Sequence, residues 1–367
     1  MGLPFDLKSL AQRYDTAGRP AYLSLYADLS DSRHRDVLRK RHAEIRAAMA
    51  TAAQRAHVDQ AMERALAGYE RAKVLPGTRA VIVFVGPDDF LEEHALQAAL
   101  PTRLVLDASP YVAPLARYAD DNESFALVLL DTEHAAIFVV WAGKADLRKE
   151  LETSLIGRHR HGGMSQMRFQ RHRRSQVNQF YDYVIDHLGI ILSTEGVSRI
   201  AVAGPGVAKR DFVPRLPKAL QANVAVVMDV DFTTGPADDA LVRRFVVLMR
   251  DEEAKESVKW VEALQRELAV GELAVTGALE CAQNAAAGRV ERLLVLGGMT
   301  VPGAKCEQHQ VVFARGGTCH CGSQGAEVDL VNEAVEFTAR AEGASEFVEP
   351  PNEFLAEAGG IAALLRW

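Results

Sequence analysis

The stretch GRHRHGGMSQMRFQRHRRSQVNQFYDYVIDHL, residues 157–188, decides the fold of the middle of this chain. A glycine pair, Gly162-Gly163, is followed by apolar residues that recur every three or four positions. The apolar positions are Met167, Phe169, Val177, Phe180, Tyr181, Val184 and Leu188. This period predicts a helix over 165–188 with one buried face. The glycine pair is therefore predicted to lie in a loop directly before a long helix.

The same stretch is a basic island in an acidic chain. The formal net charge is -7, yet no Asp or Glu occurs between Thr153 and Tyr181. A local basic cluster of this kind indicates a polyanionic partner, with RNA as the first candidate. The candidate RNA-binding residues are Arg158, Arg160, Arg168, Arg171, Arg173 and Arg174. A solvated basic face is the alternative, but such faces usually mix charges to form pairs at i,i+4.

The composition bounds the class of protein. The chain has 367 residues, of which 48% are hydrophobic, so it can form two or three domains with sizeable cores. No apolar run approaches a membrane span, and residues 1–15 lack the apolar core of a secretory signal. Four cysteines do not make a disulfide framework in a chain of this length. We therefore expect a cytoplasmic protein without a membrane partner.

The pattern of periods and turns divides the chain into three α/β (α+β) parts. We predict domains at 1–110, 111–270 and 271–367. In the first, a strand at 21–29 precedes a helical stretch at 35–72 that is broken near His57, if at all. The second and third combine short apolar runs with long amphipathic stretches. Predicted strands there are 126–130, 135–141, 147–153, 199–202, 224–228 and 290–296, and predicted helices are 237–268, 274–287 and 328–341.

Four residues near the C-terminus have the chemistry of a metal site. Cys306, His309, Cys319 and Cys321 follow the pattern Cys-x2-His…Cys-x-Cys. Three thiolates and one imidazole suit a structural Zn²⁺ ion, although Cys-x-Cys is tighter than the usual Cys-x2-Cys. A loop with free thiols is the alternative. Cys281 lies in a predicted helix and is expected to pack in the core. No other cofactor is required by the sequence.

The basic segment resembles the central loop of archaeal and eukaryotic class-1 peptide chain release factors. In that family, a Gly-Gly-Gln loop within an RHGRGGQSxxRFxR-like stretch enters the ribosomal peptidyl transferase centre. There it promotes hydrolysis of peptidyl-tRNA. The wider superfamily also includes Pelota-like rescue factors. The residues that match this stretch are Gly162, Gly163, Ser165, Arg168, Phe169 and Arg171. The resemblance runs from about Tyr111 to Trp367, and this chain looks like a bacterial-type member.

Two further stretches, 278–295 and 359–366, are similar to the superfamily's C-terminal domain. The resemblance implies a central RNase H-like α/β domain with a protruding Gly-Gly loop and a C-terminal L7Ae-like α/β domain. Some archaeal relatives carry a small zinc-binding insertion in the corresponding region. In the family, the C-terminal domain usually binds a translational GTPase, and we expect the same of this chain. The Asn-Ile-Lys-Ser motif with which the family reads stop codons is missing from the first part.

One residue departs from the family's loop: Met164 occupies the position of its Gln. Methionine cannot orient water through a hydrogen bond, whereas Gln166, two residues on, can. The candidate catalytic residues are Gly162, Gly163, Met164 and Gln166. The resemblance implies a factor that enters the ribosomal A site, contacts large-subunit RNA and tRNA, and promotes peptidyl-tRNA hydrolysis during termination or rescue.

Two other functions remain open from the sequence. The first is a non-catalytic rescue or hibernation factor, which would bind the ribosome without hydrolysing the ester. The methionine at position 164 favours this alternative. A more distant alternative is a nuclease that cuts near the 3′ end of tRNA. The sequence leaves open whether the Gly-Gly-Met loop is active, so an enzymatic role is one of these alternatives.

Overall fold

A computed structural model describes residues 5–15, 19–153, 164–231, 238–271, 273–306 and 308–367, with the backbone alone for 164–169. Among the described residues, no helix combines the length and apolar character needed to cross a membrane. The chain packs into two compact units. One is Asn122–Glu256, which we call the middle unit, and the other, the composite unit, joins residues 5–121 to Ser257–Trp367.

The helices of the described residues are numbered in chain order. In order they are α1 (Leu7–Ala11), α2 (His34–Ala48), α3 (Ala52–Ala72), α4 (Ala113–Asp121), α5 (Met164–Glu195), α6 (Ala208–Phe212), α7 (Lys218–Ala222), α8 (Asp239–Val270), α9 (Ala278–Ala286), α10 (Leu330–Arg340) and α11 (Glu353–Glu357), with a 3₁₀ turn at Val213–Arg215.

The strands, numbered in the same way, form four sheets. They are β1 (Tyr22–Asp28), β2 (Ala80–Val85), β3 (Leu91–Leu96), β4 (Arg103–Asp107), β5 (Phe125–Leu130), β6 (His134–Trp141), β7 (Lys144–Glu152), β8 (Arg199–Gly204), β9 (Val224–Asp229), β10 (Ala274–Thr276), β11 (Val290–Leu296), β12 (Pro302–Lys305), β13 (Val312–Ala314), β14 (Ala326–Asp329), β15 (Ala344–Val348) and β16 (Ile361–Leu365).

The middle unit is one sheet in the order β7-β6-β5-β8-β9, covered by helices on both faces. Strands β7, β6 and β5 are antiparallel neighbours, whereas β5, β8 and β9 run parallel. Successive side chains of a strand point to opposite faces, and β5 shows this directly. Its residues Ala126, Val128 and Leu130 join the core under α5, while Phe125 and Leu127 join the core under the first half of α8.

The N-terminal part of the composite unit is an antiparallel sheet in the order β3-β2-β1-β4, with α2 and α3 packed on it. The predicted break near His57 is wrong, because the chain leaves the helix at Met49 and starts α3 after Thr51. Thr51 accepts a hydrogen bond from the Gln54 backbone N–H, and the Gln54 side chain accepts one from the Thr51 N–H. This capping box satisfies donors that a new helix leaves free.

The C-terminal part has a mixed sheet in the order β10-β16-β11-β15 and a small antiparallel sheet in the order β13-β12-β14. The helix predicted to start at 274 begins instead at Ala278, since Ala274–Thr276 is strand β10 and pairs with β16. Gly277 separates the strand from the helix at φ +84°, a conformation that glycine adopts without strain.

Buried polar contacts join the N-terminal and C-terminal parts of the composite unit. Asn332 of α10 accepts hydrogen bonds from the backbone N–H groups of Val112 and Ala113, at the start of α4. Ser109 donates to a carboxylate oxygen of Glu336 at 2.6 Å, with both side chains fully buried. The α/β class predicted from the sequence is confirmed, while the division into three domains stays a prediction.

Candidate functional site

The candidate catalytic loop lies at the edge of what the structure describes. Gly162, Gly163, Arg158 and Arg160 fall within residues 154–163, outside the described residues. The described chain ends its strand β7 at Glu152 and resumes at Met164, the first residue of α5. Met164, Gln166 and Arg168 therefore lie in the first turns of α5, and their side chains are outside the described part.

Helix α5 is amphipathic, as its apolar period predicted, and it extends seven residues beyond the predicted end at 188. Its buried residues Phe180, Tyr181, Val184 and Leu188 pack against the sheet of the middle unit. The rings of Tyr181 and Phe212 meet edge to face with centroids 5.6 Å apart. Burial, together with the nearby carboxylates, raises the pKa of Tyr181 to about 12. The helix that follows the glycine loop is therefore held by a large buried aromatic contact.

Three of the candidate RNA-binding arginines have described side chains. Arg171 and Arg174 are exposed and make no ion pair or hydrogen bond with the described residues. Arg173 is only partly exposed, and its guanidinium lies 3.3 Å from a carboxylate oxygen of Glu133. An arginine without a protein acceptor keeps all its donors for a phosphate, so Arg171 and Arg174 are better placed than Arg173 to bind RNA.

The far end of α5 is fixed to strand β7 by an ion pair. The Arg148 Nε atom donates to a Glu195 carboxylate oxygen at 2.7 Å, and both side chains are largely buried. The hydrogen bond from Arg148 lowers the pKa of Glu195 to about 2. This pair therefore fixes the C-terminal end of α5, while the unpaired Arg171 and Arg174 lie in its N-terminal third.

The four predicted metal ligands lie together. The ligand atoms of Cys306, His309, Cys319 and Cys321 are all within 4.8 Å of one another. The Cys306 Sγ is 3.7 Å from the Cys321 Sγ, and the His309 Nδ1 is 3.5 Å from the Cys319 Sγ. A tetrahedral Zn²⁺ with Zn–S of about 2.3 Å and Zn–N of about 2.0 Å requires S···S of roughly 3.8 Å and S···N of roughly 3.5 Å. The residues therefore fit a zinc ion.

The pKa values of two thiols in this cluster shift in opposite directions. Burial by itself raises the pKa of the Cys306 thiol, but hydrogen bonds from His309 outweigh it and lower this pKa to about 6. The backbone of Cys321 alone would lower the pKa of Cys319, but burial and the hydrogen bonds to Cys306 and Cys321 outweigh it and raise this pKa. Sequence reasoning missed His320, whose Nδ1 lies 3.5 Å from the Cys319 Sγ and whose ring stacks obliquely on that of His309. Its position between two cysteines was the available signal.

Cys281 behaves as the sequence predicted, since it is fully buried in α9. Burial raises the pKa of its thiol to about 12, so it stays protonated and unreactive at neutral pH. The cysteines of this chain therefore divide into one packing residue and one cluster of three.

A family model matches the region that contains the glycine loop and α5. It describes the bacterial archaeo-eukaryotic release factor family 10 and matches residues 110–247. The matched segment is close to the middle unit defined by packing.

Similar proteins extend beyond that segment. Peptide chain release factor subunit 1 of Methanobrevibacter smithii is 24% identical over 282 residues, covering 70% of this chain and 68% of that protein. The Pyrococcus abyssi protein of the same name is 26% identical over 352 residues, covering 85% of each. The one from Methanopyrus kandleri is 28% identical over 192 residues, covering 52% of this chain and 47% of that protein.

Solved structures of low similarity cover most of the chain. The crystal structure of an archaeal translation termination factor, aRF1, is 20% identical with a TM-score of 0.28, covering 98% of this chain and 96% of that one. Archaeoglobus fulgidus Pelota is 20% identical with a TM-score of 0.35, covering 78% and 79%. The family match and the curated relatives confirm the resemblance read from the glycine segment: residues 110–247 match the bacterial archaeo-eukaryotic release factor family 10, and most of the chain is similar to archaeal proteins named peptide chain release factor subunit 1.

Proposed function

We propose that this protein enters the ribosomal A site and promotes hydrolysis of peptidyl-tRNA through the loop Gly162-Gly163-Met164. The observation that carries the proposal is the sequence of the loop itself, in which the glycine pair is followed by the Ser-x-x-Arg-Phe-x-Arg pattern of release factors. The family match over residues 110–247 supports it, because the matched segment contains this loop. The partners would be large-subunit RNA, the peptidyl transferase centre and tRNA, in the cytoplasm.

The chemistry of the loop rests mainly on its backbone. Glycines allow conformations that bring a main-chain N–H close to the ester, where it stabilises the leaving 3′ oxygen. A glutamine side chain would add orientation of the attacking water, and Met164 lacks that capacity. The loss of one oriented donor costs about 2.7–4 kcal/mol of barrier, a factor of roughly 10²–10³ in rate. Hydrolysis is therefore expected to be slow, with Gln166 as the nearest side chain able to replace the missing group.

A ribosome-binding factor without hydrolytic activity is the second candidate, and Met164 is the observation that favours it. Such a factor would protect or recycle idle or stalled ribosomes. A nuclease acting near the 3′ end of tRNA is a more distant candidate, because it shares only the need to bind the acceptor end.

The first experiment measures release of the peptide from stalled ribosomes by the wild type and by the double variant Gly162→Ala, Gly163→Ala. We expect the variant to lose release and to keep ribosome binding, since alanine restricts the loop backbone and leaves the arginines unchanged. Unchanged release by the variant would remove the catalytic proposal. The tRNA is recovered from the same reactions, and an intact 3′ end distinguishes an esterase from a nuclease.

A second variant, Met164→Gln, separates the two main candidates. A gain in hydrolysis of about 10²–10³-fold is the result expected for an attenuated catalytic loop. No gain, with ribosome binding intact, is the result expected for a factor whose loop is not catalytic.

The other parts of the chain have supporting roles in this proposal. The C-terminal part would bind a translational GTPase of elongation-factor type, as the resemblance implies. The three segments 1–110, 111–270 and 271–367 would be the units of function, with the first one lacking the codon-reading motif.

We also propose a structural Zn²⁺ ion held by Cys306, His309, Cys319 and Cys321. The tetrahedral spacing of the ligand atoms supports it. The ion would cross-link the turn after β12 to the segment before β14, and no step of hydrolysis involves it. Purified protein should contain one zinc per chain, and the double variant Cys306→Ser, Cys319→Ser should contain none. The matched control is Cys281→Ala, which should retain the metal, and a wild type without stoichiometric metal would contradict the proposal.

A further inference from the structure

A second group of exposed arginines lies on the middle unit, outside the glycine segment. Arg243, Arg244 and Arg250 lie in the first half of α8 and are exposed to solvent. Arg243, Val247 and Arg250 follow the i, i+4, i+7 spacing that places residues on one stripe of a helix, and Arg244 flanks it. Val247 is 57% exposed. At 1.5 Å per residue the two outer arginines are roughly 10 Å apart along the axis.

The opposite face of the same helix is fully used by the fold. Val242, Phe245 and Met249 are buried against the sheet of the middle unit. The arginine face therefore points away from the sheet and has no packing role. Substitutions on it are expected to leave the fold intact.

These arginines lack carboxylate partners. Within the part of the chain that the structure describes, Arg243, Arg244 and Arg250 form no ion pair or hydrogen bond. The nearest acids in sequence, Asp239 and Asp251, are likewise unpaired with them. Helix α2 of the composite unit is different, because its exposed arginines Arg35, Arg39 and Arg46 each meet a carboxylate at 2.9–3.1 Å.

The arginines of α5 and those of α8 lie on opposite faces of the middle unit, so one stretch of RNA backbone does not contact both groups. Helix α5 packs on one face of the five-stranded sheet and α8 on the other. A helix is about 10–12 Å across, so the outer faces of a helix–sheet–helix sandwich are separated by on the order of 30 Å. A phosphate strand that reaches Arg171 and Arg174 therefore does not reach the arginines of α8.

We propose that Arg243, Arg244 and Arg250 form a second RNA-binding face, independent of the glycine segment, that binds the phosphate backbone. Guanidinium groups suit phosphate oxygens, and three unpaired ones on one exposed helix face give contacts that carry no sequence preference. The middle unit would then lie between two RNA surfaces, with one arginine face towards each. The proposal rests on the ribosome as the source of RNA in the proposed function, but binding itself does not require hydrolysis.

The test compares two triple variants with the same change in net charge. One is Arg243→Ala, Arg244→Ala, Arg250→Ala, and the control is Arg35→Ala, Arg39→Ala, Arg46→Ala. Each is titrated with a labelled RNA duplex and with intact ribosomes between about 50 and 200 mM salt. Duplex binding contributes about 0.9 to the slope of log K against log salt for each phosphate contact. We expect the α8 variant to lose up to about 2.7 of slope and at least about tenfold in affinity, with the control close to wild type.

Two results would overturn the proposal. Equal slopes and affinities for the two triple variants would mean that the α8 face does not contact RNA. Unchanged RNA binding together with lost binding to a polyglutamate probe would assign the face to an acidic protein partner instead. Peptide release is assayed separately with the wild type. If the wild type releases peptide but the α8 triple variant binds RNA normally, this inference alone is refuted. If the α8 triple variant loses RNA binding but the wild type releases no peptide, only the proposed hydrolysis is refuted.

Discussion

The exposed arginines of α2 and α8 differ in what surrounds them. On α2, Arg39 meets Asp36 three residues earlier, Arg35 meets Glu70 of α3, and Arg46 meets Asp59 of α3. On α8 no described carboxylate pairs with Arg243, Arg244 or Arg250. Exposed ion pairs contribute only about 0.2–1 kcal/mol to stability, so pairing matters more for the local field than for folding. The exposed arginines of α2 are therefore neutralised by neighbouring carboxylates, whereas Arg171 and Arg174 of α5 and the three arginines of α8 remain available to a polyanion.

The composite unit also carries charged groups in its interior, as the middle unit does at Lys209. The Lys305 Nζ atom is 2.7 Å from a carboxylate oxygen of Glu333, and both side chains are almost wholly buried. Glu336 lies on the same helix, α10, and is hydrogen-bonded by Ser109 and paired with Arg340. In the composite unit, a buried ion pair therefore fixes α10 to β12, and the Ser109–Glu336 hydrogen bond joins the N-terminal segment to the same helix. Changes there should affect stability, and changes on α5 or α8 should affect binding.

The largest effect on stability is expected for Lys305→Met. The substitution leaves Glu333 buried without its cation, which costs about 3–5 kcal/mol. Denaturant unfolding of the full chain should show this loss, while the exposed control Lys40→Met should unfold like the wild type. RNA binding at a temperature where both variants are folded should be unchanged. A stable Lys305→Met protein would mean that the buried pair is not what holds the composite unit.

A smaller and pH-dependent effect is expected for Glu336→Gln. Burial and then the Glu333 carboxylate raise the pKa of Glu336 to about 8. The folded state then keeps a proton that the unfolded chain releases near its ordinary pKa of about 4.3. The proton on Glu336 therefore contributes fully to the free energy of unfolding below a pH of about 4.3. This contribution is lost as the pH rises to about 8, so wild-type stability should fall across this window.

The measurement is the free energy of unfolding from about pH 5 to pH 8, where one proton contributes at most about 1.4 kcal/mol per pH unit. In the Glu336→Gln variant, the free energy of unfolding should fall less steeply with pH than in the wild type. Asp107, whose pKa burial raises to about 7, should leave a residual slope. The exposed control Glu357→Gln should follow the wild type, and parallel curves for Glu336→Gln and wild type would rule out this role.

Much of the fold follows from local pattern, whereas these long-range contacts do not. The apolar period of residues 165–188 predicted α5 through its one buried face, and two continuous apolar runs predicted β5 and β6, which are buried on both faces. The break at Thr51 was missed because a polar cap, not a change of period, ends one helix and starts the next. The pairing of Lys305 with Glu333, and of Ser109 with Glu336, joins residues that only the folded chain brings together.

The sites show the same limit. The four residues of the proposed zinc site were predictable as a group because Cys and His at short spacing have few other uses, and the structure brings all four together. The arginine face of α8 has a weak sequence signal, since no Asp or Glu occurs between Asp239 and Asp251. The signal is interpretable only with the structure, in which Val242 and Phe245 are buried on the opposite face of α8.

The smallest effect on stability is expected for Arg171→Ala, Arg174→Ala. Neither side chain has a described partner, so the free energy of unfolding should change by less than about 0.5 kcal/mol. RNA affinity should nevertheless fall and its salt dependence weaken, as for the α8 variant. Combined with the α8 substitutions, the losses in binding free energy should add, because the two faces are far apart. If the Arg171→Ala, Arg174→Ala variant is less stable but binds RNA normally, these two arginines stabilise the fold and do not bind RNA.

A structure of the full-length protein bound to the ribosome tests the central claim most directly. The account predicts that residues 157–174 lie at the 3′ end of the tRNA in the large subunit. It also predicts RNA phosphates within hydrogen-bond distance of the arginines on α5 and on α8, while those of α2 keep their carboxylate partners. A bound protein whose middle unit faces away from RNA, with its arginines still in solvent, would contradict it.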